Sequence, residues 1–435
     1  MKLKSTYRGL KSVLGLDVAE LDKRNASLPS REVGSPKVLP TARVLYYPPF
    51  DDDEQFTDHY YRMVWYLHPI IDHIVEIVIP FEGAAPVQGP LPEYLANDIQ
   101  QLEETVKAKI RYVPATVAAA IEEEGKAATL VMLWQVTDDP KDKIPNGVAK
   151  DIVKTKKMWR VDHHREQFAG SFYLKCSSEF EDPTKDIEES KEKFASIPRE
   201  LFLDKGYIFG TGPSLETLTD EDFGDGTALA INSMVKNRPL MEKLNPPIIT
   251  IGDPIFHAGC SSYAAQFRSY LRDAMQAFGS YLIVPQRDYR LYMANLDREL
   301  RSRIIGLPMQ PGEVPNLDLN ESFHVTTTSN IMSLFLLPVA CTFFKDINMG
   351  GFDGRPITEN DYFWKHDPAS QITDRMDDIQ LAHPAFFQID YDDYYLTHCD
   401  IVARWLEEGE KQGLTFANLT HSYIPALADR TIRKQ

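Results

Sequence analysis

Short apolar runs alternate with stretches of helical period from about residue 41 almost to the end of the chain. Ala42 to Tyr47 is a β-type run stopped by Pro48-Pro49. The pattern then predicts a helix at Phe56 to Leu67, a strand at His73 to Pro80, a helix at Pro92 to Lys109 and a strand at Ile110 to Val113. A helix at Thr116 to Glu123, a strand at Thr129 to Val136, a helix at Val148 to Thr155 and a strand at Met158 to Val161 continue it. Apolar runs separated by helices of these lengths imply parallel pairing with right-handed crossovers, so a doubly wound domain is expected over residues 41–180. Tyr60-Tyr61-Arg62-Met63-Val64-Trp65 reads as the inner face of a core helix, with an acceptor platform as the lesser alternative. Residues 1–40 read as a peripheral arm, and the charge-dense Glu179 to Glu192 falls at a linker or solvated helix over 181–204.

A second β/α series fills 205–435. Strands are expected at Tyr207 to Phe209, Leu229 to Ile231, Ile248 to Ile251, Tyr281 to Val284 and Asp346 to Met349. Helices are expected at Ser262 to Phe278, Ile331 to Ala340 and Cys399 to Gln412, followed by a strand at Leu414 to Asn418 and a last helix. The fold class is therefore α/β, with two Rossmann-like doubly wound domains in tandem. A chain of 435 residues exceeds what one core usually supports, which agrees with two domains.

The formal charge of −17 repels polyanions, so nucleic acid is excluded as a general partner and any phosphate site must be local. No run approaches the ~20 apolar residues of a membrane span. The basic N-terminus, with Lys2, Lys4, Arg8 and Lys11, allows at most peripheral contact with a membrane surface. Cys176, Cys260, Cys341 and Cys399 lie in no metal-ligand spacing, and a reducing, cytoplasmic setting is expected.

The sharpest local signal is Gly210-Thr211-Gly212-Pro213-Ser214, directly after a strand. Its glycines would let main-chain N–H groups approach an anion, and Pro213 and Ser214 suit a helix's first turn, whose N–H groups favour negative charge. A tight turn with no ligand fits these five residues equally well. Polar residues recur at other strand ends, namely Asn232, Asp253 and Gly350 to Asp353. In open α/β sheets, ligands sit outside such ends, so a nucleotide or sugar-nucleotide site is expected there.

On these residues the second half resembles the bacterial sialyltransferases of glycosyltransferase family 42, which use CMP-sialic acid. The match runs through Gly210-Thr211-Gly212-Pro213-Ser214-Leu215, Asn232, Asp253-Pro254, Thr328-Ser329 and Gly350-Gly351-Phe352-Asp353-Gly354-Arg355, in the family's order. It covers roughly residues 205–425 and leaves the first domain outside; with it, the tandem would look GT-B-like, with the acceptor meeting the first lobe. The resemblance implies metal-independent, inverting transfer of a keto-sugar acid from a CMP donor to a glycan, with no cofactor. Gly210, Thr211, Gly212, Pro213, Ser214, Asn232, Asp253, Thr328, Ser329, Gly351 and Asp353 would hold the nucleotide.

Thr211, Asp253 and Arg355 depart from the family pattern, which points to another CMP-activated keto-sugar acid as a substitute donor. The resemblance places the general base among His366, His383 and His398, with His398 favoured over His383. Arg355, Tyr391, Tyr394 and Tyr395 are the candidates for steadying the departing phosphate. Asp51-Asp52-Asp53 reads as an exposed acidic turn, whereas Asp390-Tyr391-Asp392-Asp393 leaves a Mg²⁺ role open. His163-His164 offers at most one ring to a given site. Two other classes remain open: a Mg²⁺-dependent diphosphokinase of the pterin type with Asp253 and Asp353 as ligands, and a binding protein without turnover. An oligomer is compatible with all three.

Overall fold

The computed structural model describes residues 41–47, 49–50, 52–116, 119–133, 157–160, 180, 183–356, 367–383 and 391–432. The arm over 1–40, the helix expected at 148–155, and Asp51, His163-His164, His366 and Asp390 lie outside them. Contacts divide the chain into two units, Met1–Thr184 with Leu381–Phe386, and Lys185–Gln380 with Phe387–Gln435. The expected second domain at 205–435 is thus interrupted by a short segment that belongs with the first unit.

The first unit is built on β1 (Ala42–Tyr47), β2 (Ile74–Phe81), β3 (Ile110–Pro114), β4 (Leu130–Leu133) and β5 (Lys157–Arg160). Their order is β3-β2-β1-β4-β5, with every pairing parallel. Val44, Leu45, Ile77, Val78, Leu130 and Val131 are all buried, which is why these strands read as continuous apolar runs rather than as alternation. The helix Asp53–Leu67 begins where Asp52 accepts the Gln55 N–H at 2.8 Å, and it buries Phe56, Tyr60, Tyr61, Met63, Val64 and Trp65. Arg62 is buried as well, its Nε donating to Asp58 one turn earlier at 2.8 Å. The helix expected from Pro92 is shorter: a 3₁₀ turn at Asn97–Leu102 leads into Glu103–Lys107. Its proline-rich approach packs instead as loop, with Gly89 N–H bonded to Thr57 Oγ1 at 2.8 Å.

The second unit carries β6 (Lys205–Phe209), β7 (Thr227–Ile231), β8 (Ile248–Thr250), β9 (Tyr281–Pro285), β10 (Ile304–Leu307), β11 (Met309–Gln310), β12 (Val325–Thr326), β13 (Asp346–Gly350) and β14 (Thr415–Asn418). Seven of them form one sheet in the order β10-β9-β8-β7-β6-β13-β14, all parallel, while β11 and β12 pair separately. The pattern of apolar runs did not predict β10, β11 or β12. One face of the main sheet, through Ile208, Leu229, Ile248, Ile283, Ile305 and Ile347, packs in a core with Leu336, Val339, Val402 and Leu406. The segment ahead of Leu337–Phe343 is a π-turn, Met332–Leu336, and Trp405 Nε1 donates to the carbonyl of Ser333 at 3.0 Å. The closing helix spans Tyr391–Lys411 and so starts earlier than the expected Cys399. Among the described residues no helix is long and apolar enough to cross a membrane.

Candidate functional site

In the second unit the chain moves outward from β6 through β10 and returns to β13 on the other side of β6. The switch point of this sheet is therefore the β6–β13 boundary, where open α/β sheets form their crevice. Two glycine-bearing loops meet there. Gly210 N–H donates to Gly350 O and Gly212 N–H to Gly351 O, both at 2.8 Å. A Cβ at Gly210 would overlap Gly351 O and the Phe352 ring, and one at Gly212 would overlap the Asp353 carboxylate. Gly351 and Gly354 hold φ of 72° and 65°, a region that favours glycine.

Asp353 closes the junction. Its carboxylate accepts the Ser214 N–H at 3.1 Å and the Ser214 hydroxyl at 2.7 Å. Across the loop, Thr211 O accepts the Asp367 N–H at 2.7 Å. The turn after Gly212 is a six-residue 3₁₀ segment, Pro213–Leu218, not an α-helix. These bonds revise the expectation that the glycine loop offers its amides to a phosphate. In this structure the N–H groups of Gly210, Gly212 and Ser214 bond within the protein, and Pro213 has none to give.

Arg355 follows the same junction and is 5% exposed. Its Nη2 donates to Asp392 Oδ1 at 2.5 Å, its guanidinium lies 5.0 Å from the Tyr395 ring centre, and its own N–H donates to the Tyr395 hydroxyl at 3.1 Å. Burial pushes the Tyr395 phenol up to about 12, so it stays protonated at neutral pH. Tyr394, next along the helix, donates its hydroxyl to Ser329 O at 2.8 Å. Its phenol is also raised to about 12, first by burial, with the charge of Asp253 adding to it. Asp253 Oδ1 accepts the N–H groups of Ile255 at 2.8 Å and Phe256 at 3.1 Å, and burial raises its carboxyl above the usual range. Thr328 Oγ1 accepts from Ser333 Oγ at 3.0 Å.

Asn232, directly after β7, adopts φ of 41°, in the left-handed region that asparagine tolerates better than most residues. Its buried Oδ1 has no hydrogen-bond partner among the described residues. The expected residues thus form two groups: Gly210 to Ser214 with Gly351, Asp353, Arg355 and Tyr395, and Asp253 with Ser329 and Tyr394. The first turn of Tyr391–Lys411 supplies a tyrosine to each.

The histidines separate. His398 lies one turn beyond Tyr394 and Tyr395, is 2% exposed, and burial pulls it down to about 4. His383 joins neither group, because it belongs with the first unit, among Arg62 and Asp58. Tyr391 begins the closing helix, while its side chain lies outside the described residues. Asp52 and Asp53 are spent on the start of their own helix and on the Val87 N–H.

Three polar residues at the sheet edge were not among the candidates. Arg287 Nη2 donates to Gly252 O at 3.1 Å and its Nε to Asp288 Oδ1 at 3.1 Å. Asp288 is 1% exposed, and burial raises it to about 6. Gln371 Oε1 accepts from Ser233 Oγ at 2.9 Å and from the Tyr263 hydroxyl at 3.1 Å. Polar Gln286-Arg287-Asp288 directly after a strand carried the same signal as Asp253 and pointed to the first two; Gln371 had none. Among the described residues no group of three or more His, Cys, Asp or Glu side chains is placed to hold a metal ion.

The class defined by these observations is an α/β protein with two parallel-sheet units and a polar junction at the switch point of the second. No protein-family model matches the chain, and no curated protein matches it.

Proposed function

We propose that the second unit binds a CMP-activated, sialic-acid-like keto-sugar acid along the carboxyl edge of its sheet and transfers the sugar, with inversion and without a metal, to a glycan acceptor. The observation that carries this reading is the convergence of Gly210–Ser214, Gly350–Arg355 and the first turn of Tyr391–Lys411 at the switch point. Because the N–H groups of Gly210, Gly212 and Ser214 are already engaged, Arg355 takes the phosphate, exchanging the half-exposed Asp392 for two phosphate oxygens. Tyr395 keeps its ring against the guanidinium. Asp253 accepts a ribose hydroxyl, and Asn232 Oδ1 accepts a donor group of the nucleotide. His398 is the base this reading keeps; it is neutral at pH 7, as a base must be, and meets the acceptor only when the helix's first turn shifts. A GT-B-like pairing with the acceptor at the first unit, and a cytoplasmic location, belong to the same proposal.

Thermal shift against CMP, CDP, UDP, GDP and ATP, each with and without Mg²⁺, tests it. CMP should stabilise the chain most, by ~2.7 kcal/mol at a hundredfold excess over its dissociation constant, and Arg355→Ala should remove that gain. Equal CMP stabilisation of the Arg355→Ala protein, or no response to any nucleotide, defeats the reading. Stabilisation by ATP with Mg²⁺ alone replaces it with the diphosphokinase.

A further inference from the structure

His383 takes no part in the proposed transfer, and its surroundings give it another use. The segment beginning at Leu381 belongs with the first unit, although the chain up to Gln380 and from Phe387 belongs with the second. Leu381 is exposed, whereas Ala382 and His383 are 0% exposed. Neither ring nitrogen of His383 has a hydrogen-bond partner among the described residues. The charges acting on the ring are Arg62 and Asp58, both on the helix Asp53–Leu67. Asp58 is already committed: its Oδ2 accepts Arg62 Nε at 2.8 Å and its Oδ1 accepts the Tyr94 hydroxyl at 3.0 Å.

A neutral imidazole can occupy such a place. An imidazolium there would carry a buried charge beside a guanidinium, with no acceptor for either of its N–H groups among the described residues. We propose that Leu381–His383 is an acid-released anchor: uptake of one solvent proton by His383 drives the segment out of the first unit. The sign follows from burial. The folded ring is pulled down to about 3 from an ordinary 6.5, so docking is fully stable above pH 6.5 and weakens as pH falls toward 3. Over that window the released fraction rises tenfold per pH unit, or roughly thirtyfold between pH 7.5 and 5.0.

Amide hydrogen exchange on the full chain at pH 7.5, 6.0 and 5.0, corrected for intrinsic rates, reads the opening directly. The peptide containing 381–383 should open roughly thirtyfold more at pH 5.0 than at pH 7.5 in the natural protein, and equally at the two pH values in His383→Leu. A flat natural profile, or the same rise in His383→Leu, overturns the proposal. Imidazole NMR on the natural protein provides a second measurement that needs no variant. A His383 ring that titrates near 6.5 while the 381–383 amides stay protected also overturns it. None of these readouts requires a nucleotide, so the anchor and the transferase reading fail separately.

Discussion

Each unit must satisfy the backbone groups freed where its first strand hands over to the next element, and the two do so at different ranges. After β1, Asp52 caps Gln55 three residues on, and Asp53 takes the Val87 N–H from the loop after β2. After β6, the closing carboxylate is Asp353, 139 residues away in sequence from the Ser214 it holds. A start capped from its own neighbourhood forms as soon as the helix does. A start closed from a distant loop exists only once β13 has docked beside β6, so turn and sheet stand or fall together. The same tie occupies the Ser214 N–H, as the Gly350 and Gly351 carbonyls occupy those of Gly210 and Gly212.

The sharpest way to break this contrast is Gly210→Val. Its side chain would overlap backbone at Gly351, which cannot swing away, so a loss of about 3 kcal/mol or more is expected in denaturant unfolding of the second unit. A loss under about 1 kcal/mol would mean the two loops part easily. Next, Asp353→Ala should cost about 2 kcal/mol by removing a charged acceptor from the Ser214 N–H and hydroxyl, with Asp353→Asn recovering part of it. Smallest is Asp52→Ala, at about 1 kcal/mol, the ordinary cost of a lost N-cap, confined to the first unit's transition. Equal costs at Asp52 and Asp353 would erase the distinction between local and distant closure.

The strands that could be read in advance were those whose burial is visible in their own residues. Ala42–Tyr47, Ile248–Thr250 and Tyr281–Pro285 are apolar because helices or the core cover them, and their ends fell within a residue or two of expectation. Ile304–Leu307 is a four-residue strand that directly follows the strongly polar Arg298–Arg303 turn, which leaves it too short a run to stand out. The closing helix begins at Tyr391, ahead of the expected Cys399, and Asp392 and Asp393 occupy its first turn, where negative charge is favoured. The strand-end rule pointed to Asp253 and Asp353, whereas Arg355 came only from the resemblance. Spacing along the chain held nothing about the Asp353–Ser214 bond, the Gln371 acceptor or the place of His383. Those depend on which distant segments fold together.

The π-turn at Met332–Leu336 is a register slip in which Trp405, 2% exposed, answers the Ser333 carbonyl. Ser333 in turn bonds the Thr328 hydroxyl. An indole sealed from solvent is thereby wired, through one carbonyl and one hydroxyl, to the threonine–serine pair beside Tyr394. With the other four of the chain's five tryptophans replaced, Trp405 would serve as an optical gauge at that spot.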